Sequence, residues 1–455
     1  MRVERDTLGE VLVPDDALYG AQTQRAVENY PVSGLREHPV FIRTFIQLKR
    51  AAALANRELG VMDGETAEAI VGACDELLAN FEKYRGQFVV DVFQAGAGTS
   101  FNMNVNEVIA TLSGKGIHPN DHVNMSQSTN DVFPTAIRVT VLQLLNELYP
   151  QLDALATTFS EKSEEFADVI KSGRTHLQDA VPVTLGQEFH AYAEAVARAT
   201  RGLISQSVDM RELGIGGTAV GTGINTPIGY RYAVVKQMNE MTDLELVPVM
   251  DLREAMQSQL PVAGVSAALR NLALELTRIT NDLRLLASGP QTGLAEITLP
   301  AVQPGSSIMP GKVNPSMLEC MNQVLFHIIG AATAIDYASQ AGQLELNVMM
   351  PLMAFELTFS IEILKNYLPV FLEKCIRGIT ANRERCEAYY VSSPSLATAL
   401  NPIIGYARAA EIAKEAAKSG TPVPQLLREK GLMSEADIAR IFTPEFLAGQ
   451  ADRDG

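Results

Sequence analysis

GSSIMPGKVNP, residues Gly305 to Pro315, is polar and rich in turn formers, yet it lies between long apolar helical runs. Gly305 and Gly311 permit unusual backbone angles, and Pro310-Gly311 suits a type II turn. A glycine-flanked loop of this length between helices reads as a lid over a site. It carries two adjacent hydroxyls, Ser306 and Ser307, a cation at Lys312 and an amide at Asn314. Lys312 taken alone reads as a solvated surface lysine. The loop as a whole needs a chemical reason for standing among helices.

Outward from this loop, helical periodicity dominates from about residue 135 to 380. The segments are Thr135–Phe166, Thr184–Glu212, Pro227–Met241, Gln257–Ala287, Ser316–Ser339 and Leu352–Arg377. Several run to about 25–30 residues, roughly 40 Å at the helical rise, which points to a bundle. Pro150 is expected to kink or split the first of them. Small residues in "AVARATRGLISQSV" allow close helix approach, and bundles are expected to associate between subunits. Residues 1–130 read as a mixed domain, with extended pieces in "DTLGEVLVPDDALYG" and helices near Phe41–Leu59 and Gly64–Asn80. Residues 131–383 read as a central helical bundle domain. Residues 384–455 read as a small helical domain, with a turn at "SGTPVP" and Ser434 as an N-cap.

Three further polar islands interrupt the helices: "GAGTSFNMN" (Gly96–Asn104), "HVNMSQSTND" (His122–Asp131) and "SGRTHLQDAVP" (Ser172–Pro182). Singly, "SQSTND" could be helix capping and Arg174-Thr175-His176 a hydrogen-bonded turn. Together the four islands offer hydroxyls, amides and a histidine with few acids at their centres, which suits a dicarboxylate. Ala287-Ser288-Gly289 is the tripeptide that cyclises in the histidine and phenylalanine ammonia-lyases. Here it sits at a helix end before a proline, where Ser and Gly are common.

Composition narrows the classes. The 455 residues are 47% hydrophobic and 20% charged, as in soluble globular proteins. A formal net charge of -16 argues against nucleic acid as a partner. Cys74, Cys320, Cys375 and Cys386 form no CxxC pair, and the six histidines show no metal-ligand spacing, so no metal is expected. The charged start "MRVERDTLGE" is unlike a signal peptide, and no uncharged apolar run of 18 residues marks a membrane span. A cytoplasmic protein is the expectation.

In this order and with these letters the islands resemble the aspartase/fumarase superfamily, whose signature loop matches "GSSIMPGKVNP" almost letter for letter. The likeness runs from "DTLGEVLVP" and "YGAQTQRAVENYP" to "ALNPIIGY" (399–406). It implies a mainly α, three-domain fold with a central five-helix bundle, a homotetramer with a twenty-helix core, and sites where three subunits meet. "GAGTS", "SQSTND", "QDAVP", "AGQLELNVM" and "CIRGITAN" stand on the ammonia-lyase side of the superfamily. The implied reaction is reversible loss of ammonia from L-aspartate to give fumarate, without cofactor. Class II fumarate hydration, or addition of another amine to fumarate, are the alternatives within the family; a structural lens crystallin is the non-enzyme one. Three positions depart from the family pattern: Met350 stands where an acid is usual, Gln291 where arginine is common, and "NTPIGY" (225–230) lacks the usual Pro-Glu-Tyr.

The resemblance also implies roles. Ser306 would be the base, with His176 and Lys312 beside it in catalysis. Thr99, Ser128 and Thr129 would hold the carboxylate that gains charge. Thr175, His176, Lys312 and Asn314, with Ser307 in the same loop, would hold the other carboxylate. Asn130 and His176 would meet the amino group, and Glu319 would orient His176. His118, Asn120 and Asp121 in "HPND" resemble a secondary anion site of fumarases.

Overall fold

The computed structural model describes residues 1–449; residues 450–455, at the end of the third expected segment, lie outside the described residues. Two strands, β1 (Arg2–Asp6) and β2 (Gly9–Val13), form an antiparallel ribbon. Helices α1 (Ala21–Asn29), α2 (Pro39–Glu58), α3 (Gly64–Ala79) and α4 (Thr99–Ser113) follow. Then come α5 (Thr129–Glu165), the hairpin β3 (Ile170–Thr175) and β4 (Gln178–Thr184), α6 (Leu185–Ser207), α7 (Tyr230–Thr242), α8 (Leu260–Leu286), α9 (Ser316–Gln340) and α10 (Met350–Phe371). Helices α11 (Arg383–Ser392) and α12 (Tyr406–Ser419), with shorter helical turns, complete the described residues, and Ser434 caps one of those turns by accepting from Asp437 N–H.

Pro150 neither ends nor splits its helix. α5 runs unbroken for 37 residues with Pro134 and Pro150 inside it. Proline forfeits one backbone bond, but its ring faces solvent while Leu148, Leu152 and Leu155 on either side are fully buried. α6 and α10 are shorter than their periodicity predicts, because their apolar patterns continue into a 3-10 turn at Val208–Arg211 and a π turn at Leu372–Ile376.

Packing divides the chain into two units: Met1–Pro150, Arg201–Ala273 and Val324–Lys365 form the first, and Gln151–Thr200, Leu274–Gln323 and Asn366 onward form the second. Within the first, Phe41 and Phe45 of α2, Phe101 of α4 and Phe133 of α5 interlock, with ring centroids 5.1 Å apart for Phe41–Phe133 and 5.2 Å for Phe45–Phe101. Edge-on aromatic packing of this kind fixes the three helices on one another. Within the second, Leu396, Leu400, Ile412, Leu426, Leu427 and Ile438 make a separate small core.

Contacts within each unit link the longest helices in pairs. Tyr149 of α5 donates to Ser207 of α6, and Tyr192 of α6 to Asp282 of α8. Asn322 of α9 meets Thr280 and Asn281 of α8. His327 of α9 stacks edge-on against Phe359 of α10, and Lys365 of α10 pairs with Glu147 of α5 at 2.7 Å. By length and composition α9 also suits a bilayer, although no uncharged run of 18 residues occurs in it. Here it buries Leu318, Met321, Leu325, Ile328 and Ile335.

Candidate functional site

The first two islands meet in the first unit. Thr99 opens α4, and Ser128 precedes α5. The capping reading of "SQSTND" holds: Ser128 Oγ accepts from Asn130 N–H at 3.3 Å, and Asp131 Oδ1 accepts from Ser128 N–H at 2.9 Å. Asp131 does more than cap. It is fully buried, and its Oδ2 accepts from Gly216 and Thr218 N–H, both at 2.9 Å, so it ties the start of α5 to the 216–219 loop. Burial pushes its carboxyl up to about 6, while these backbone donors hold it down. Asn130 Nδ2 donates to Ala219 O at 2.8 Å. That bond uses one of the two amide N–H donors, and Oδ1 keeps its capacity to accept.

Behind Thr129 lies a buried polar cluster that sequence reading missed. Lys49 of α2 is 0% exposed, and its ammonium donates to Asn102 Oδ1 at 2.7 Å, Asn124 Oδ1 at 3.0 Å and Gln127 Oε1 at 3.0 Å. Asn102 Nδ2 in turn donates to Thr129 Oγ1 at 2.9 Å. Burial lowers the Lys49 pKa to about 7, and the nearby Asp131 charge opposes that. The available signals were a lysine inside an apolar helix pattern and asparagines at 102, 104 and 106 alternating with Met103 and Val105.

The other two islands belong to the second unit. Thr175 and His176 lie at the tip of the β3–β4 hairpin. Thr175 pairs with Gln178, leaving His176 and Leu177 as a two-residue turn with φ 54° and 59°. Both angles positive is the type I′ geometry that matches strand twist. Thr175 and His176 are exposed, so the tip is presented outward. The first strand of the hairpin is anchored by Glu296, a fully buried carboxylate that was also missed. Lys171 Nζ lies 2.9 Å from Glu296 Oε2, and Arg174 Nη1 lies 2.8 Å from Oε1.

Loop 305–315 is closed by its own bonds. Gly305 N–H donates to Lys312 O at 2.8 Å, and Asn314 Nδ2 to Gly305 O at 2.6 Å. Lys312 N–H donates to Met309 O at 3.3 Å with Gly311 at φ 79°, the expected type II turn. Gly305 is required for a different reason than expected. Its φ is not positive; a Cβ there would lie 2.5 Å from Lys312 O and 2.7 Å from Asn314 N. Within the loop, Ile308 and Met309 N–H both donate to Ser306 Oγ, at 3.2 and 3.0 Å. Lys312 Nζ donates to Asn314 Oδ1 at 2.7 Å, and Ser307 and Lys312 are exposed. Glu319 stands in the first turn of α9, its N–H bonded to Pro315 O.

The structure thus brings Thr99, Ser128, Thr129 and Asn130 together in one unit. Ser306, Ser307, Lys312, Asn314 and Glu319 form a second group, and Thr175 and His176 a third. Among the described residues of one chain, no hydrogen bond joins the hairpin tip to the loop, and His176 makes no ion pair with Glu319. His118, Pro119 and Asn120 of "HPND" line a cleft of about 840 Å³ with Arg2, Arg5 and Lys115, where His118 Nδ1 accepts from Asn120 and Asp121 N–H. Ser288, in the tripeptide Ala287-Ser288-Gly289, donates to Leu285 O and accepts from Leu294 N–H at the end of α8.

Comparison with known proteins places these features. A family model described as a lyase matches residues 9–330, and one for the fumarase C C-terminus matches residues 396–449. An aspartate ammonia-lyase of Helicobacter pylori is 47% identical over 98% of this chain and 97% of its own length. The aspartate ammonia-lyase of Escherichia coli is 45% identical over 98% of this chain and 96% of its own. A class II fumarase of Schistosoma mansoni superposes with TM-score 0.94 at 34% identity, covering 99% of both chains. A Brucella melitensis structure described as fumarate lyase:delta crystallin bound to cobalt gives TM-score 0.92 at 45% identity, covering 97% of this chain and 98% of that one.

Proposed function

The chain belongs to the aspartase/fumarase superfamily, and from that premise we propose that it is an aspartate ammonia-lyase, a carbon–nitrogen lyase that reversibly converts L-aspartate to fumarate and ammonia. Identities of 45–47% with aspartate ammonia-lyases, against 34% with the fumarase, support the amine substrate.

The reaction removes a very weakly acidic proton from the carbon beside a carboxylate. Ser306 takes that proton. A serine oxygen becomes a competent base only if its alkoxide is stabilised, and two backbone donors aimed at Oγ do this without reorganisation. That geometry is the observation that carries the assignment. Negative charge then builds on the adjacent carboxylate as an enediolate, where the hydroxyls of Thr99, Ser128 and Thr129 receive it. Thr175, His176, Lys312 and Asn314 hold the second carboxylate, with Ser307 beside them. Asn130 Oδ1 and His176 meet the ammonium group, which departs already protonated and needs no acid. Collapse of the enediolate expels it and leaves fumarate.

The islands are divided between two units, and the pairing of Glu319 with His176 is not made within one chain. We therefore read the enzyme as a homotetramer whose sites draw on three subunits. Exposed apolar side chains on the long helices support this: Leu274 on α8 is 50% exposed, Phe326 and Tyr337 on α9 54% and 67%. The net charge of -16 and the small-molecule site support a cytoplasmic enzyme without nucleic-acid or membrane partners.

The test compares the parent protein with Ser306→Ala at catalytic concentration, following the ultraviolet absorbance of fumarate. The parent produces fumarate from L-aspartate, and Ser306→Ala is slower by roughly a thousandfold or more while folding normally. Near-parental turnover in the variant overturns Ser306 as the base. Inactivity of the parent points instead to a structural, crystallin-like role.

A further inference from the structure

The hydroxyl of Thr129 can serve an enediolate only as a donor, yet a threonine hydroxyl both donates and accepts. Its direction is set from behind. Asn102 Nδ2 occupies the accepting side of Thr129 Oγ1 at 2.9 Å, and an N–H cannot accept in return. Among the described residues the Thr129 hydroxyl has no protein acceptor, so its hydrogen is free to point outward. The amide of Asn102 is itself fixed. An ammonium has three donors and no acceptor, so Lys49 forces Asn102 to present Oδ1 to it at 2.7 Å, and the NH₂ group must face Thr129. Asn124 Oδ1 reinforces this orientation by accepting from Asn102 Nδ2 at 3.3 Å and from Lys49 at 3.0 Å. All three Lys49 donors are engaged, and Lys49 and Asn102 are 0% and 1% exposed.

We propose that Lys49 and Asn102 are positioning residues for the reaction: through the chain Lys49, Asn102, Thr129 they fix the polarity of the Thr129 hydroxyl so that it donates to the substrate carboxylate that gains charge. The proposal rests on Thr129 being a substrate ligand, as assigned above. A buried lysine with three amide partners could instead be only a structural strut. The two roles differ in whether the effect passes through the Thr129 hydroxyl.

The experiment is a double-mutant cycle in the full-length enzyme with Asn102→Asp and Thr129→Val. A carboxylate at 102 still accepts from Lys49, but its second oxygen turns the Thr129 hydroxyl inward. Asn102→Asp should lower kcat/KM for L-aspartate about 10- to 100-fold, more through kcat than KM, because the charge develops in the transition state. In the Thr129→Val background the same change should cost less than about threefold. Equal losses in both backgrounds, or no loss with Thr129 intact, overturn the proposal. Parental kcat/KM in Thr129→Val alone overturns it together with the assignment of Thr129 to the substrate, which separates the two failures. If Asn102→Asp does not assemble, Asn102→Ser removes the amide donor with less bulk and carries the same cycle, with the same criteria.

Discussion

In water a serine holds its proton too tightly to act as a base near neutrality, so the chemistry of Ser306 lies in the groups around it. The amides of Ile308 and Met309 converge on Oγ, and the sequence could not supply that detail because backbone N–H groups carry no letter. The burial of Lys49, Asp131 and Glu296 was harder to read, because what makes each buried charge tenable is a set of partners distant in sequence. Glu37 is a further case. It is 3% exposed, and burial together with the nearby Asp91 charge pushes its carboxyl up to about 8. The folded chain therefore keeps a proton that the unfolded chain loses above about pH 4.5, and stability falls as pH rises from there to about 8, by at most ~1.4 kcal/mol per pH unit. Glu37→Gln keeps an acceptor for Gln94 Nε2 and removes the proton. Its gain in Tm over the parent should be small at pH 5 and grow toward pH 8; a gain that does not change with pH contradicts the burial argument.

Among the elements, the long helices were readable because an apolar stripe repeated over many turns has few other solutions. Their ends were less so: the apolar patterns of α6 and α10 run on into tighter and looser turns, and the helix around Pro150 continues without a split. The turn at Met309–Lys312 was legible, since Pro-Gly names its own geometry. The need for Gly305 was not, because it comes from a close approach to Lys312 and Asn314 and not from a local backbone angle. Gly305→Ala should push the two ends of the loop apart and misplace Ser306, Lys312 and Asn314 together. We expect kcat to fall by about 100-fold or more with little change in Tm, as for small displacements of positioned groups on an outer loop. Steady-state rates and calorimetry on one preparation check this; unaltered kcat would mean that the closed loop is not the working form.

For the whole molecule, the family and its bundle could be read from the islands and the helix lengths, and the five longest helices do join through side-chain contacts. Which residues of different chains meet could not be read, because assembly depends on the shape of faces that appear only after folding. If each site draws on three chains, Ser306→Ala and His176→Ala subunits mixed in equal parts after reversible dissociation should recover roughly a quarter of parental activity, half of the sites being intact at each position. No recovery in verified mixed tetramers contradicts shared sites. The choice of leaving group depends on the whole site. Asn130, with one amide N–H on Ala219 O, keeps Oδ1 able to accept from an ammonium, whereas Met350, where an acid is usual, is fully buried and adds no charge. The most direct measurement is kcat/KM for L-aspartate beside L-malate and N-substituted aspartates, each followed by fumarate absorbance. L-aspartate should be preferred by at least about a hundredfold, since a site built to accept hydrogen bonds from an amine leaves buried groups unpaired with other substrates. Preference for L-malate would make the chain a fumarase with ammonia-lyase islands, and preference for a substituted amine would make it a lyase of another amine; either result contradicts the account.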